Sequence, residues 1–294
     1  MDDIARAFSQ RALSGTPVCD YLTPIITRFA ASSAADSNYL TELASADEGQ
    51  FWSRVWEALL FDRLSRAGWT VRNPGAGPDF LIERDGVRAL VEAAAPSPDG
   101  LPEDWINYQF GKGYSVPHEQ MLLRWTAKLS DKAKKHTADI AKGRADAALP
   151  FVIAINSQRL NGVGPEEHGI SQWPFAVEAT FPVGPLGVTY NTQTSTWGDT
   201  HQTLRFNISK ANGQAIPTDN FLNPEYAHVS ALIGCVACYA ELATCTKFEG
   251  QYPYFIVYNP LATQPLSSGW LPGAIEYVAR RVNDDEFELS RISE

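Results

Sequence analysis

Asp79 and Glu92 are the two side chains best placed by this sequence to do chemistry together. Each lies at the end of a short apolar run, Phe80 to Ile82 for the first and Val87 to Val91 for the second. The Asp85-Gly86 pair between the runs signals a tight hairpin turn. Antiparallel pairing about that turn predicts that the two carboxylates meet at one end of a two-stranded ribbon. Two converging carboxylates suit Mg²⁺ or Mn²⁺, hard cations that take oxygen ligands and need only one or two protein carboxylates. A cation held that way activates water and polarises a phosphoryl oxygen. In the competing reading Asp79 opens a strand after a proline turn and Glu92 is a solvated edge residue.

The flanking segments must position this pair. From Glu48 to Gly68 the apolar residues Trp52, Val55, Trp56, Leu59, Leu60, Phe61 and Leu64 recur at helical spacing, and Gly68 fits the C-terminal stop. Arg54, Asp62, Ser65 and Arg66 fall on the other side. Glu57 projects from the apolar part of this helix, and a buried carboxylate needs a partner. That partner is a cation beside Asp79 and Glu92, or Arg63, which also intrudes on the apolar side.

After the hairpin, Leu122, Leu129, Ala133, His136 and Ile140 form one stripe of a helix between His118 and Gly143. His136 reads as a core histidine rather than a base. Arg124, Lys128, Lys132 and Lys135 form a basic ridge within about 80° of arc at 100° per residue. Such a ridge is either a solvated face or a phosphate-facing one, and Lys132 lies closest to the apolar stripe. Phe151 to Ile155 then reads as a buried strand.

With Thr70 to Arg72 as a short first strand, the order is helix, strand, strand, strand, helix, strand over about Glu48 to Asn156. This order, with Pro78-Asp79 and the later Glu92, resembles the restriction-endonuclease-like superfamily. Its signature is Pro-Asp, a variable spacer, then Asp or Glu, any residue, Lys. Ala94 stands where that lysine is expected, and families within the superfamily move it to the following helix. The resemblance implies an α/β fold with a mixed central sheet flanked by helices, and Mg²⁺- or Mn²⁺-dependent phosphodiester hydrolysis of nucleic acid. It implies Asp79, Glu92 and Glu57 as metal ligands and Lys132, or else Lys128, as the displaced catalytic lysine. DNA or RNA would then lie along Arg124, Lys128, Lys132 and Lys135. The alternative is a catalytically inactive protein of the same fold that binds a nucleic acid or a protein partner. In a third reading the acids simply pair with the ridge.

Composition sets the bounds. The 294 residues, 44% hydrophobic with eight Trp, predict a folded α/β protein, and no linker is evident. Residues 1–46 read as a helical extension, including Tyr21 to Ala31 and Tyr39 to Ala44, that caps the core or mediates a homodimer. Residues 47–294 read as the nuclease-like unit. Within it, a Gly-, Pro-, Asn- and Thr-rich stretch from about 161 to 225 reads as an irregular insertion, and further strands follow over about 226–260. The aromatics of the insertion, Trp173, Phe175, Phe181, Tyr190 and Trp197, are expected against the sheet, with base stacking the other use for them.

A net charge of −10 argues against non-specific nucleic-acid binding outside a local basic groove. The sequence has no signal-like N-terminal run and no apolar stretch long enough for a bilayer, which predicts a cytoplasmic protein. Of the four Cys, Cys235 and Cys238 have half-zinc-site spacing with Cys245 nearby, but their apolar setting favours buried thiols. Phosphate-loop, nucleophile-elbow and zinc-protease patterns do not occur.

Overall fold

The computed structural model describes residues 3–107, 109, 111–161, 168–237, 253–283 and 286–292. The chain opens with four helices, α1 (Asp3–Ser9), α2 (Pro17–Ala30), α3 (Tyr39–Leu43) and α4 (Glu48–Arg66). Three strands follow, β1 (Thr70–Arg72), β2 (Phe80–Arg84) and β3 (Val87–Ala94), then α5 (Glu103–Ile106), α6 (His118–Ala141) and β4 (Phe151–Asn156). Next come α7 (Phe175–Glu178) and four strands, β5 (Val183–Asn191), β6 (Thr196–Leu204), β7 (Asn207–Ser209) and β8 (Ala215–Pro217). The last elements are β9 (Ala231–Cys235), β10 (Tyr254–Tyr258), β11 (Ile275–Arg281) and β12 (Phe287–Ile292).

The architecture is α/β. Eight strands form one mixed sheet in the order β1-β2-β3-β4-β9-β10-β11-β12, with parallel pairing at β3/β4, β4/β9 and β10/β11 and antiparallel pairing elsewhere. The Asp85-Gly86 turn has both residues at positive φ, 52° and 79°, which matches the right-handed twist of the strands it joins. It sets the register Phe80↔Val91, so Asp79 stands one step beyond, opposite Glu92.

The two faces of the sheet carry separate halves of the core. Strand β3 alternates between them. Ala89, Val91 and Ala93 pack with α1 to α4, and Leu90 and Ala94 pack with α6 and α7. Glu92 therefore lies on the α6 face with Ala94, as residues two apart on a strand must. The indole of Trp56 donates to the Ala154 carbonyl at 3.0 Å and locks α4 to the sheet.

Helices α1 to α3 pack against α4 and the sheet. Phe8, Leu22, Ile26, Phe29, Tyr39 and Leu43 are buried in the same cluster as Phe51 and Trp56 of α4. The expected α6 stripe is present, except that Ile140 is only half-buried while Asp139 is buried. The insertion is more regular than its composition suggests, because β5/β6 and β7/β8 are both antiparallel hairpins. Its aromatics divide. Phe175 and Phe181 are buried and Trp173 packs on Tyr277, whereas Tyr190 and Trp197 stand exposed. Strands β11 and β12 extend the sheet beyond the expected set. Cys235 is buried at the end of β9, while Cys238 and Cys245 lie outside the described residues. Among the described residues no helix is long and apolar enough to cross a membrane.

Gly77 brings Pro78-Asp79 to its place. Its φ of +88° disfavours any side chain, and an added Cβ would run into the backbone carbonyl of Arg144 beyond the end of α6. Gly77→Ala should therefore lower unfolding stability by more than about 1 kcal/mol, measured by denaturant titration. A neutral outcome would mean that the close approach of these segments does not constrain Asp79.

Candidate functional site

Asp79, Glu92 and Glu57 reach the site from different elements. Asp79 precedes β2, and its Oδ2 accepts from the Ala93 amide of β3 at 2.7 Å. That bond holds the carboxylate at the strand end and occupies one of its oxygens. Glu92 is 1% exposed, which excludes the solvated-edge reading. A charge so buried needs partners, and α6 supplies two. Lys132 Nζ lies 2.6 Å from Glu92 Oε1, and Lys135 Nζ lies 2.6 and 2.8 Å from the two Glu92 oxygens. Lys135 also donates to the Gly77 carbonyl at 3.3 Å.

Half of the basic ridge is thus a lysine clamp on Glu92 rather than a free face. The ammonium expected from Lys132 stands against Glu92, and Lys135, not anticipated in that role, shares the position. The three-residue spacing of the two lysines carried the signal, because both ends of that interval sit on one helix face. Lys128 and Arg124, further toward the start of α6, have no part in the clamp.

The partner of Glu57 is Arg54 and not Arg63. Arg54 donates to Glu57 Oε2 at 2.6 Å, to Asp36 Oδ2 at 3.1 Å and to Glu42. Arg63 instead donates to the Pro272 carbonyl and lies over the Tyr254 ring. A three-residue step puts Arg54 beside Glu57 on one helix face, while the loop carrying Asp36 and helix α3 folds over the pair.

Electrostatics join these groups into one cluster. Burial raises the Asp79 carboxyl to about 6, and the charge on Glu92 pushes the same way against Lys132 and Lys135. Burial also raises Glu57 to about 8, with Asp79 adding to the effect and Arg54 opposing it. For Lys132, burial works against the ammonium, but Glu92 and Asp79 outweigh it and its pKa is raised.

In all, five carboxylates, Asp36, Glu42, Glu57, Asp79 and Glu92, surround three cations, Arg54, Lys132 and Lys135. Fully ionised, the acids would exceed the cations by two charges; the raised Glu57 shows a proton meeting part of that excess, and a divalent cation fits the same place by displacing it. Among the described residues no group of three or more His, Cys, Asp or Glu is placed to hold a metal ion. The ligands offered are therefore one or two carboxylates, with water completing the shell.

His136, one residue beyond Lys135, packs on the sheet beside the clamp. Its ring stacks on Phe151 at 3.7 Å between centroids, and burial lowers its pKa to about 4, with His228 adding to the effect. It is a neutral core side chain at ordinary pH.

These shifts have a definite sign. Glu57 binds its proton more tightly folded than unfolded, so its contribution to stability is complete below about pH 4.5 and is lost as pH rises through about 8. Asp79 behaves alike, up to about 6. His136 runs the other way, its contribution falling as pH drops from 6.5 toward 4. Between pH 6.5 and 8, Glu57 dominates. In chelator, stability should fall across that window by on the order of 1 kcal/mol per pH unit, and Glu57→Gln should flatten the slope in denaturant melts. A slope unchanged in that variant would remove Glu57 from the buried cluster.

The chain matches no protein-family model, no curated protein and no solved structure. What the site can do therefore rests on its own geometry, which is a buried Glu92 and a half-buried Asp79 in register near one strand end with a lysine clamp from the following helix.

Proposed function

We propose that this chain is a nuclease-like protein of the restriction-endonuclease-like type that hydrolyses phosphodiester bonds of nucleic acid with Mg²⁺ or Mn²⁺. The observation carrying the reading is the alignment of Asp79 with Glu92 across the hairpin, with Lys132 at 2.6 Å from Glu92 although Ala94 leaves the usual lysine position empty. When bound, the cation would supply an activated water and polarise the scissile phosphoryl oxygen. Asp79 and Glu92 hold it, and Glu57 assists directly or through water. Lys132 orients the attacking water and steadies the charge that develops on the phosphoryl group. With Lys132 and Lys135 engaged by Glu92, Arg124 and Lys128 are the ridge residues left for the substrate backbone.

The same clamp favours a second reading. Both Glu92 oxygens are occupied by ammonium groups, as in a silent member of the fold that binds nucleic acid through Arg124 and Lys128 without cutting it.

Cleavage of labelled single- and double-stranded DNA and RNA, with Mg²⁺, Mn²⁺ or chelator, separates the two. The enzyme reading expects metal-dependent cleavage that is lost in Asp79→Asn and Lys132→Ala, with partial recovery when Ala94→Lys is added to Lys132→Ala. It also expects metal to stabilise the fold, by about 2.7 kcal/mol at a hundred times the dissociation constant, and Asp79→Ala to lose that gain. Wild-type cleavage undiminished in Asp79→Asn and Lys132→Ala would sink this site. The silent reading expects salt-sensitive binding without cleavage. There the slope of log affinity against log salt should flatten by nearly two units in Arg124→Ala/Lys128→Ala, at about 0.9 per duplex phosphate.

A further inference from the structure

The β5/β6 hairpin carries an apolar face that is left about half-exposed or more among the described residues. Leu186, Val188 and Tyr190 alternate along β5 and share one side. The register sets Leu186 opposite Gln202, Val188 opposite Thr200 and Tyr190 opposite Trp197. Leu186, Val188, Tyr190 and Trp197 are 49%, 48%, 45% and 74% exposed, and Tyr190 and Trp197 lie 4.7 Å apart at the tip. The root is anchored. Gln202 bonds the Gly184 carbonyl and accepts from the Trp173 indole at 3.2 Å, and Arg205, just beyond β6, donates to the buried Glu178 at 2.6 Å. A nine-residue strand spans about 30 Å, and a two-stranded ribbon with an uncovered apolar face is only marginally stable.

We infer that this face is the contact between two copies of the chain, paired about a two-fold axis with their arms antiparallel. Charge selects the occupant. From Val183 to Leu204 the only acidic or basic residues are Asp199 and His201, and there is no Glu, Lys or Arg. A nucleic-acid backbone would find no cation on the arm, and a charged protein partner would find no complement. A second arm meets no repulsion there, although each whole chain carries −10.

Shape selects the orientation. Val188 and Thr200 in the middle of the face are slimmer than Leu186 and Gln202 at the root and Tyr190 and Trp197 at the tip, so an antiparallel two-fold sets the two shallow middles on the axis and each aromatic tip against the partner arm's root. The exposed apolar side chains of one arm, with Leu204, offer on the order of 500 Å². That is in the upper part of the range for the largest patch on a monomer, about 300 to 600 Å², and two such faces together reach the roughly 1,000 Å² that a specific interface needs.

Sedimentation of the full chain over a range of concentrations tests this. A dimer is expected at micromolar concentration and should persist or strengthen in high salt. It should be lost in Val188→Glu and in Trp197→Glu with circular dichroism unchanged, because both side chains are already about half-exposed or more in the single chain, and the melting temperature should lose only its dependence on concentration. A wild-type protein monomeric throughout, a dimer dissolved by salt, or a dimer surviving in both variants would overturn the proposal.

Discussion

The buried charge of Glu92 is the constraint on which the site depends. An unpaired carboxylate at 1% exposure in the middle of a sheet would cost several kcal/mol. The cost is met by two ammonium groups from one turn of α6, which fix the roll of that helix against β3. Once α6 is set, its other faces follow. Leu122, Leu129 and Ala133 pack onto the sheet and His136 stacks on Phe151. The bond from Lys135 to the Gly77 carbonyl then ties the same helix to the turn that delivers Asp79.

Arg54 plays the matching part on the opposite face. It gathers Asp36, Glu42 and Glu57, so the segments before α4 are held to that helix by charge as well as by packing. The Tyr39 hydroxyl adds a bond to the Arg54 carbonyl at 3.2 Å. Glu57 stands between this network and Asp79 and feels both. Its raised pKa records a carboxylate that one guanidinium, shared among three acids, does not fully compensate. The segments before α4 therefore bear on the charge state of Glu57.

Away from the site the same principle recurs on a smaller scale. Glu178 of α7 is buried and accepts from Arg205, from the Ser171 amide at 2.7 Å and from the Ser171 hydroxyl, which joins the root of the long hairpin to the helix beneath it. Glu276 of β11 accepts from Tyr258 at 2.9 Å and from the Gly269 amide, closing the loop that crosses from β10 to β11. In each case a charge taken from water organises the loop that satisfies it.

The order of the core elements, the Asp85-Gly86 turn, the register that opposes Asp79 to Glu92, and the two long helices were all legible in the sequence. Turn chemistry and apolar periodicity are local properties and need no knowledge of the rest of the chain. The basic ridge was legible too, as a row of residues on one helix face. Which cations would be spent on which acids was not. Ion pairs such as Lys135 with Glu92, or Arg54 with Asp36 and Glu42, join residues that only the packing of helices on the sheet brings together. The periodicity set Arg54 on the far side of the helix and left Arg63 as the partner for Glu57, whereas Arg54 holds it.

The insertion shows the same division. Its Gly-, Pro- and Thr-rich composition concealed two hairpins, because edge ribbons lack the continuous apolar runs that mark buried strands. Whether each aromatic was buried or left in water depended on how far its strand reached beyond the body of the protein. The sequence by itself determined the strands, helices and acid pair through short-range pattern. Tertiary structure decided the charge pairing, burial and pKa of the site, because those depend on distances between segments that are far apart along the chain.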